Sequence, residues 1–237
     1  MENTHTIRTR WSAAARRWSM RLAVLGMVMV LAACVRLLEP RQSNVQYYVL
    51  GSADALETQN ATDESDGSSV GLRRVHIADY LDAAALVTRR GEHTIRFAEF
   101  HRWGEDLARA INRTVAARLL AMDGVGTVDV VPFTSSDPHD YLVQLRVLRF
   151  EGKGPPPLGP DEDPPESSSG EPLTGTVQMT IAWEVFVADT EMSVARGTTR
   201  HQADGWTVGD YPDLVAKLDT AIAVLAGDLT QELQSRP

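Results

Sequence analysis

Ser135, Ser136, His139 and Asp140 bring hydroxyl, imidazole and carboxylate groups into one short stretch, the set a hydrolytic triad needs. Nucleophile, base and orienting acid must converge in space, which chain neighbours seldom do, and no Gly-x-Ser-x-Gly turn surrounds either serine to aim it. Turn polarity accounts for these residues better. The six histidines include no i, i+4 pair, and none lies beside a second thiol, so the spacing offers no zinc-type site. Asp161, Glu162 and Asp163 cluster their carboxylates among prolines, without the glycine and glutamate of a calcium loop. A glycine-rich phosphate loop is also missing from the sequence. The expectation is therefore no catalytic residue, no metal ligand and no cofactor.

The thiol is a different case. Cys34 is the sole cysteine, and it closes the apolar run LAVLGMVMVLAAC that begins at Leu22. A run of about a dozen residues is too short for a helix across a bilayer core of about 30 Å, which takes about 20. With Arg8, Arg10, Arg16, Arg17 and Arg21 ahead of it, the run reads as the core of a secretion signal. Leu31-Ala32-Ala33-Cys34 resembles a bacterial lipobox, in which the cysteine is diacylated, freed by cleavage and then N-acylated. That resemblance implies a signal peptide over 1–33, cleavage between Ala33 and Cys34, lipidation of Cys34 and a tether over 34–44. Val35 stands where an aspartate would favour inner-membrane retention in enteric bacteria, so the expected location is the periplasmic face of the outer membrane.

Charge narrows the partners. The chain of 237 residues has net charge −9, and removing residues 1–33, with five Arg and one Glu, takes it to −13. No basic stripe remains to neutralise phosphates, which argues against nucleic acid and against electrostatic docking on anionic lipid. Attachment to a membrane then falls to the acyl chains on Cys34, at roughly 0.8 kcal/mol per buried CH₂.

Several elements must fold behind that anchor, and hydrophobic period locates them. Residues 45–237 read as one domain. Val45 to Gly51 is aromatic and branched and predicts a strand, while 52–69 is polar and acidic and predicts a disordered loop. Val70 to Ile77 alternates, with His76 facing outward, and Ala85–Arg89 and Thr94–Phe97 predict a hairpin about Gly91. From Phe100 the period changes: Phe100, Trp103, Leu107, Ile111, Val115 and Leu119 predict one face of a helix to Leu120. Strands follow over Thr127–Phe133, Asp140–Glu151, Thr176–Ala188 and Ser193–Ala203, the middle two separated by a Pro, Gly and acid-rich disordered loop over 152–175. Tyr211, Leu214, Val215, Leu218, Ile222, Leu225, Leu229 and Leu233 predict a second helix. The fold class expected is α+β: a mainly antiparallel sheet of about five to seven strands with two long amphipathic helices on one face.

Three blocks of this chain, in this order behind a lipobox, resemble the ABC-type transport auxiliary lipoprotein family. They are Tyr47-Tyr48-Val49-Leu50, Val75-His76-Ile77-Ala78-Asp79-Tyr80-Leu81-Asp82 continuing to Leu86-Val87-Thr88-Arg89, and Trp103-Gly104-Glu105-Asp106-Leu107. The resemblance implies a non-enzymatic accessory subunit of an ABC/MCE-type lipid transporter. Its partners would be an MCE-domain periplasmic protein and the associated inner-membrane components, and it would dock or cap the periplasmic component at the outer membrane. Homo-oligomerisation is compatible with the sequence. The alternative is a lipid-anchored periplasmic hydrolase, esterase-like, with Ser135, Ser136, His139 and Asp140 as its only candidates. Because tyrosine and tryptophan carry disproportionate interface energy, Tyr47, Tyr48, Tyr80, Trp206 and Tyr211 are the candidate partner contacts, with core packing the alternative role for each.

Overall fold

The computed structural model describes residues 44–51, 67–133, 138–155 and 172–236. By contacts the chain divides into Met1–Asn44 and Val45–Pro237, and the fold below is that of the second unit. Outside the described residues lie the signal over 1–33, Cys34 and the tether up to residue 43, Ser135 and Ser136, and the carboxylates 161–163.

The strands are β1 (Gln46–Tyr48), β2 (Ser68–Leu72), β3 (His76–Ile77), β4 (Ala85–Arg90), β5 (Thr94–Trp103), β6 (Val125–Val130), β7 (Tyr141–Gly154), β8 (Thr174–Val187) and β9 (Ser193–Thr207). A 3₁₀ turn covers Asp79–Leu81, and the helices are α1 (Leu107–Leu120) and α2 (Tyr211–Gln234). Within the stretches expected as disordered loops, 52–69 and 152–175, Ser68–Ser69, Gly152–Gly154 and Thr174–Gly175 are paired as strands, and residues 52–66 and 156–171 lie outside the described residues.

All nine strands belong to one sheet, and it is mixed rather than mainly antiparallel. β7 is its spine. One edge of β7 pairs antiparallel with β8 along nearly its whole length, and β8 pairs antiparallel with β9. The other edge takes β2, β3 and β4 in succession, all parallel: Leu72 lies opposite Val143, Ile77 opposite Val147 and Arg90 opposite Gly154. The links between β2, β3 and β4 displace the chain without reversing it, so the strand predicted over Val70–Ile77 becomes two, β2 and β3, and β4 follows them alongside β7. β5 turns back on β4 at Gly91, whose φ of 65° suits glycine, and β1 and β6 add parallel to β5 and β2. α1 lies on the connection that carries the chain from β5, near one side of the sheet, across to β6 beside β2.

Burial along β7 shows why its pattern is irregular. Val147 faces Ile181 but Arg149 faces Thr180, so Leu148 is a bulge residue. Val143, Leu145 and Val147 before the bulge and Phe150 after it are buried, while Leu148 is exposed. With Val177, Met179, Ile181 and Val185 of β8 they make the core face. α2 packs against β7, β8 and β9, and α1 against α2 and β6. The other face of β7–β9 carries Arg146, Arg149, Gln178, Arg200 and Gln202.

Helix limits are set by caps. Asp106 accepts a hydrogen bond from the Arg109 amide at 2.9 Å, and Asp210 accepts one from the Asp213 amide at 3.0 Å, satisfying first-turn donors. Phe100 and Trp103 therefore do not belong to α1 as their spacing predicted. They end β5, where the Trp103 amide bonds to the Ala84 carbonyl and the Gly104 amide to Tyr48. Arg118 of α1 pairs with Asp219 of α2 at 2.7 Å, and Thr199 of β9 donates to Asp228 of α2 at 2.5 Å, fixing helix to helix and helix to sheet. Among the described residues no helix is long and apolar enough to cross a membrane.

Candidate functional site

β1 is a sheet edge, and alternation sends its two tyrosines opposite ways. Tyr48 turns toward the start of α2. Its hydroxyl donates to Gln46 Oε1 at 2.7 Å and lies 2.8 Å from His101 Nδ1, which leaves the hydroxyl oxygen to accept from a protonated Nδ1. The His101 ring stacks on Tyr211, the first residue of α2, with centroids 3.9 Å apart. Burial, then the charge of Asp210, raises the Tyr48 pKa; burial raises that of Tyr211 and lowers that of His101. Arg90 is near enough to Tyr211 for their charges to interact; its pKa is lowered by burial first and by Arg96 second, and its Nε has no hydrogen-bond partner. The cluster ties β1 and β5 to the N-terminus of α2.

A pH dependence follows from His101. A histidine whose folded pKa lies below its unfolded value binds fewer protons when folded, so its contribution to stability is present above the unfolded pKa of about 6.5 and falls as pH drops through the folded value. His101→Gln is expected to flatten the decline in Tm between neutral and mildly acid pH, measured by thermal melts of both proteins across that range.

Tyr47 faces the side of the sheet away from α2. It is 67% exposed and stands with Val49 at 60%, Phe97 at 51% and Phe100 at 44%. Register explains the grouping. Gln46 lies beside His101 and Tyr48 beside Trp103, so the alternate residues Tyr47, Val49, Phe100 and Arg102 share the opposite face. Phe97 joins them because the β4–β5 pairing shifts: Ala85 faces Arg102 but Val87 faces Phe97. Sequence periodicity missed Phe97 and Phe100, placing one in a plain hairpin and the other on a helix seam.

Of the other predicted contact aromatics, Tyr80 is half-buried and belongs to a polar cluster. Glu151 of β7 is fully buried and pairs with Arg89 of β4, Nε to Oε1 at 2.5 Å. The Arg89 guanidinium also sits 5.6 Å from the Tyr80 ring centre, and the Tyr80 hydroxyl donates to the Leu148 carbonyl at the bulge, 3.1 Å away. Burial, and then the charge of Glu151, pushes the Tyr80 pKa up to about 12. Trp206 is not a surface residue at all. It is completely buried at the end of β9, its indole N–H donates to the Asp210 carbonyl at 2.7 Å, and its ring covers Gly152. The expectation that Trp206 contacts a partner is therefore corrected: the strand runs past Ala203 to Thr207 and carries the ring inward.

Of the four residues of the alternative hydrolase reading, only His139 and Asp140 are among the described residues, and they do not pair with each other. His139 Nε2 lies 3.0 Å from Asp129 of β6, not from Asp140, and the His139 ring packs against Phe133 with centroids 4.7 Å apart. Asp140 instead accepts from the Ser69 amide at 2.8 Å, holding β2 to the start of β7. No group of three or more His, Cys, Asp and Glu side chains able to hold a metal occurs among the described residues.

This fold has solved counterparts. A protein from Xanthomonas campestris that matches the DUF330 family model superposes with a TM-score of 0.54 at 11% identity, over 78% of this chain and 89% of that one. A second, uncharacterized protein gives 0.56 at 14% identity, over 79% of this chain and 97% of its own. No curated protein is significantly similar in sequence. The model of the ABC-type transport auxiliary lipoprotein component matches residues 48–230, from the last residue of β1 into the final turns of α2, and the chain belongs to that family.

Proposed function

We propose that this auxiliary lipoprotein is a non-enzymatic, lipid-anchored accessory subunit of an ABC/MCE-type intermembrane lipid transporter. It is tied to the periplasmic face of the outer membrane through acylated Cys34, and docks or caps the periplasmic MCE-domain component there. The supporting observation is the family match over 48–230, which spans β2–β9, α1 and most of α2. The lipobox residues Leu31-Ala32-Ala33-Cys34 support the anchor, and Val35 supports the outer membrane. Several acyl chains at roughly 0.8 kcal/mol per buried CH₂ give a hold that one chain does not.

The test is a mild-detergent pull-down of the acylated protein with mass spectrometry of what co-purifies. The expected result is an MCE-domain protein with its inner-membrane components, and Cys34→Ala is expected to move the protein out of the membrane fraction. Recovery of the lipoprotein alone, with ester hydrolysis in the same preparation, would replace this reading by a hydrolase.

A further inference from the structure

We propose that Tyr47, Val49, Phe97 and Phe100 form a membrane-contact edge that enters the headgroup–acyl boundary of the bilayer in which Cys34 is anchored. The inference rests on the acylation of Cys34 and adds a second, non-covalent contact to it.

Four large apolar side chains between 44% and 67% exposed gather on one face at one edge of the sheet, where β1 pairs only with β5 among the described residues. α2 packs on the far strands β7–β9 and against the core face, so it does not cover them. Chain length selects the occupant. Residues 35–45 are all that separate Cys34 from β1. Fully extended they reach about 40 Å, and as a flexible coil about 18 Å, so the anchor keeps β1 closer to the bilayer than it need keep any other strand. The chemistry agrees: aromatic rings with an aliphatic neighbour favour the interfacial zone of a bilayer, where an apolar body and a polar tip are both accommodated. Arg102, in register with Tyr47 and exposed, is placed to meet lipid phosphates from the same face.

The lone cysteine makes this measurable. In the acylated full chain Cys34 is blocked, so Phe100→Cys introduces one reactive thiol for a nitroxide label. Met192→Cys, at a position 64% exposed in the β8–β9 turn at the opposite end of the strand order, serves as the control. Each labelled protein is placed in vesicles of phosphatidylethanolamine with phosphatidylglycerol, and collision with oxygen is compared with collision with a water-soluble nickel chelate. The expected result is a several-fold higher oxygen-to-nickel ratio at 100 than at 192, with Tyr47→Cys repeating it should the first variant fold poorly. Equal ratios at 100 and 192 in a protein whose mass shows acyl chains would overturn the contact and leave the anchor standing. Shielding from both reagents with concentration-dependent spin broadening would assign the edge to a second copy of the chain instead. An unmodified Cys34 by mass would overturn the anchor, and the contact with it.

Discussion

Glu151→Ala is expected to destabilise the fold by about 3–5 kcal/mol, the range for removing one partner of a buried ion pair. Glu151 is completely buried and its partner Arg89 nearly so, at a side-chain separation of 2.5 Å. Removing the carboxylate leaves a largely buried guanidinium with the Glu92 carbonyl, 3.0 Å from one terminal nitrogen, as its remaining acceptor, and it cannot lose its proton because the arginine pKa is too high for neutralisation to relieve it. Tyr80 would lose the charge that helps raise its pKa, so the Tyr80 titration should move down toward its ordinary value in the same variant. The double replacement Arg89→Met with Glu151→Leu should be less harmful than the sum of the single changes, since it removes both the attraction and the desolvation. Urea denaturation of the protein and the variants measures the two stability effects, and tyrosinate absorbance against pH follows Tyr80. A Glu151→Ala midpoint equal to that of the parent would show that the pair contributes nothing. The position of this pair also has a consequence for the sheet. It joins β4 to β7 on the side away from the helices, just beyond the bulge at Leu148, where β4 pairs with β7 through only three residues.

Trp206→Ala is expected to cost a further about 3–5 kcal/mol, in the range for truncating a fully buried aromatic. The ring lies on Gly152, where an added Cβ would come within 2.6 Å of Cζ3, so no side chain fits beneath it without moving the ring. Gly152→Ala is accordingly expected to destabilise by about 1–3 kcal/mol through overpacking. In the Trp206→Ala background the same glycine change should be nearly neutral, because the space is then vacant. This coupling, read from a four-protein thermal or urea series, separates close packing from a glycine effect on the unfolded chain, which would persist in both backgrounds. Loss of the indole also removes the hydrogen bond to the Asp210 carbonyl at the cap of α2. A weakened α2 start, and with it a looser Tyr48–His101–Tyr211 stack, would carry the damage to β1 and to the edge proposed to meet the bilayer.

How far the sequence could be read differs from element to element. The seam of α2 was legible from Leu214 onward: Leu214, Val215, Leu218, Ile222, Leu225, Leu229 and Leu233 recur at helical spacing and are all buried, while Tyr211, predicted to begin it, is half-buried against His101. The α1 seam was legible from Leu107 onward, whereas Phe100 and Trp103 share its period by coincidence and lie in β5. Their extended conformation is decided by hydrogen bonds to Ala84 and Tyr48, residues distant in the chain. Strand positions were also legible, as alternation, but the parallel pairing of β2, β3 and β4 with β7 was not. The same limit applied to the aromatics. Tyr47 was expected at the surface and stands there, while Trp206, drawn from the same reasoning, is in the core because Gly152, far back in the chain, leaves room for it.

By itself the sequence determined the α+β class, both helix seams in large part, and the family. These depend on local period and on short contiguous motifs. Only the tertiary structure decided which strands are neighbours, that Glu151 and Arg89 pair across the sheet, that Trp206 is buried, and that Tyr47, Val49, Phe97 and Phe100 share one open face. The physical reason is that hydrophobic burial is non-directional. A local pattern assigns each residue to an inner or outer face, while the partner it meets there depends on backbone pairings and shape complementarity between segments remote in the chain.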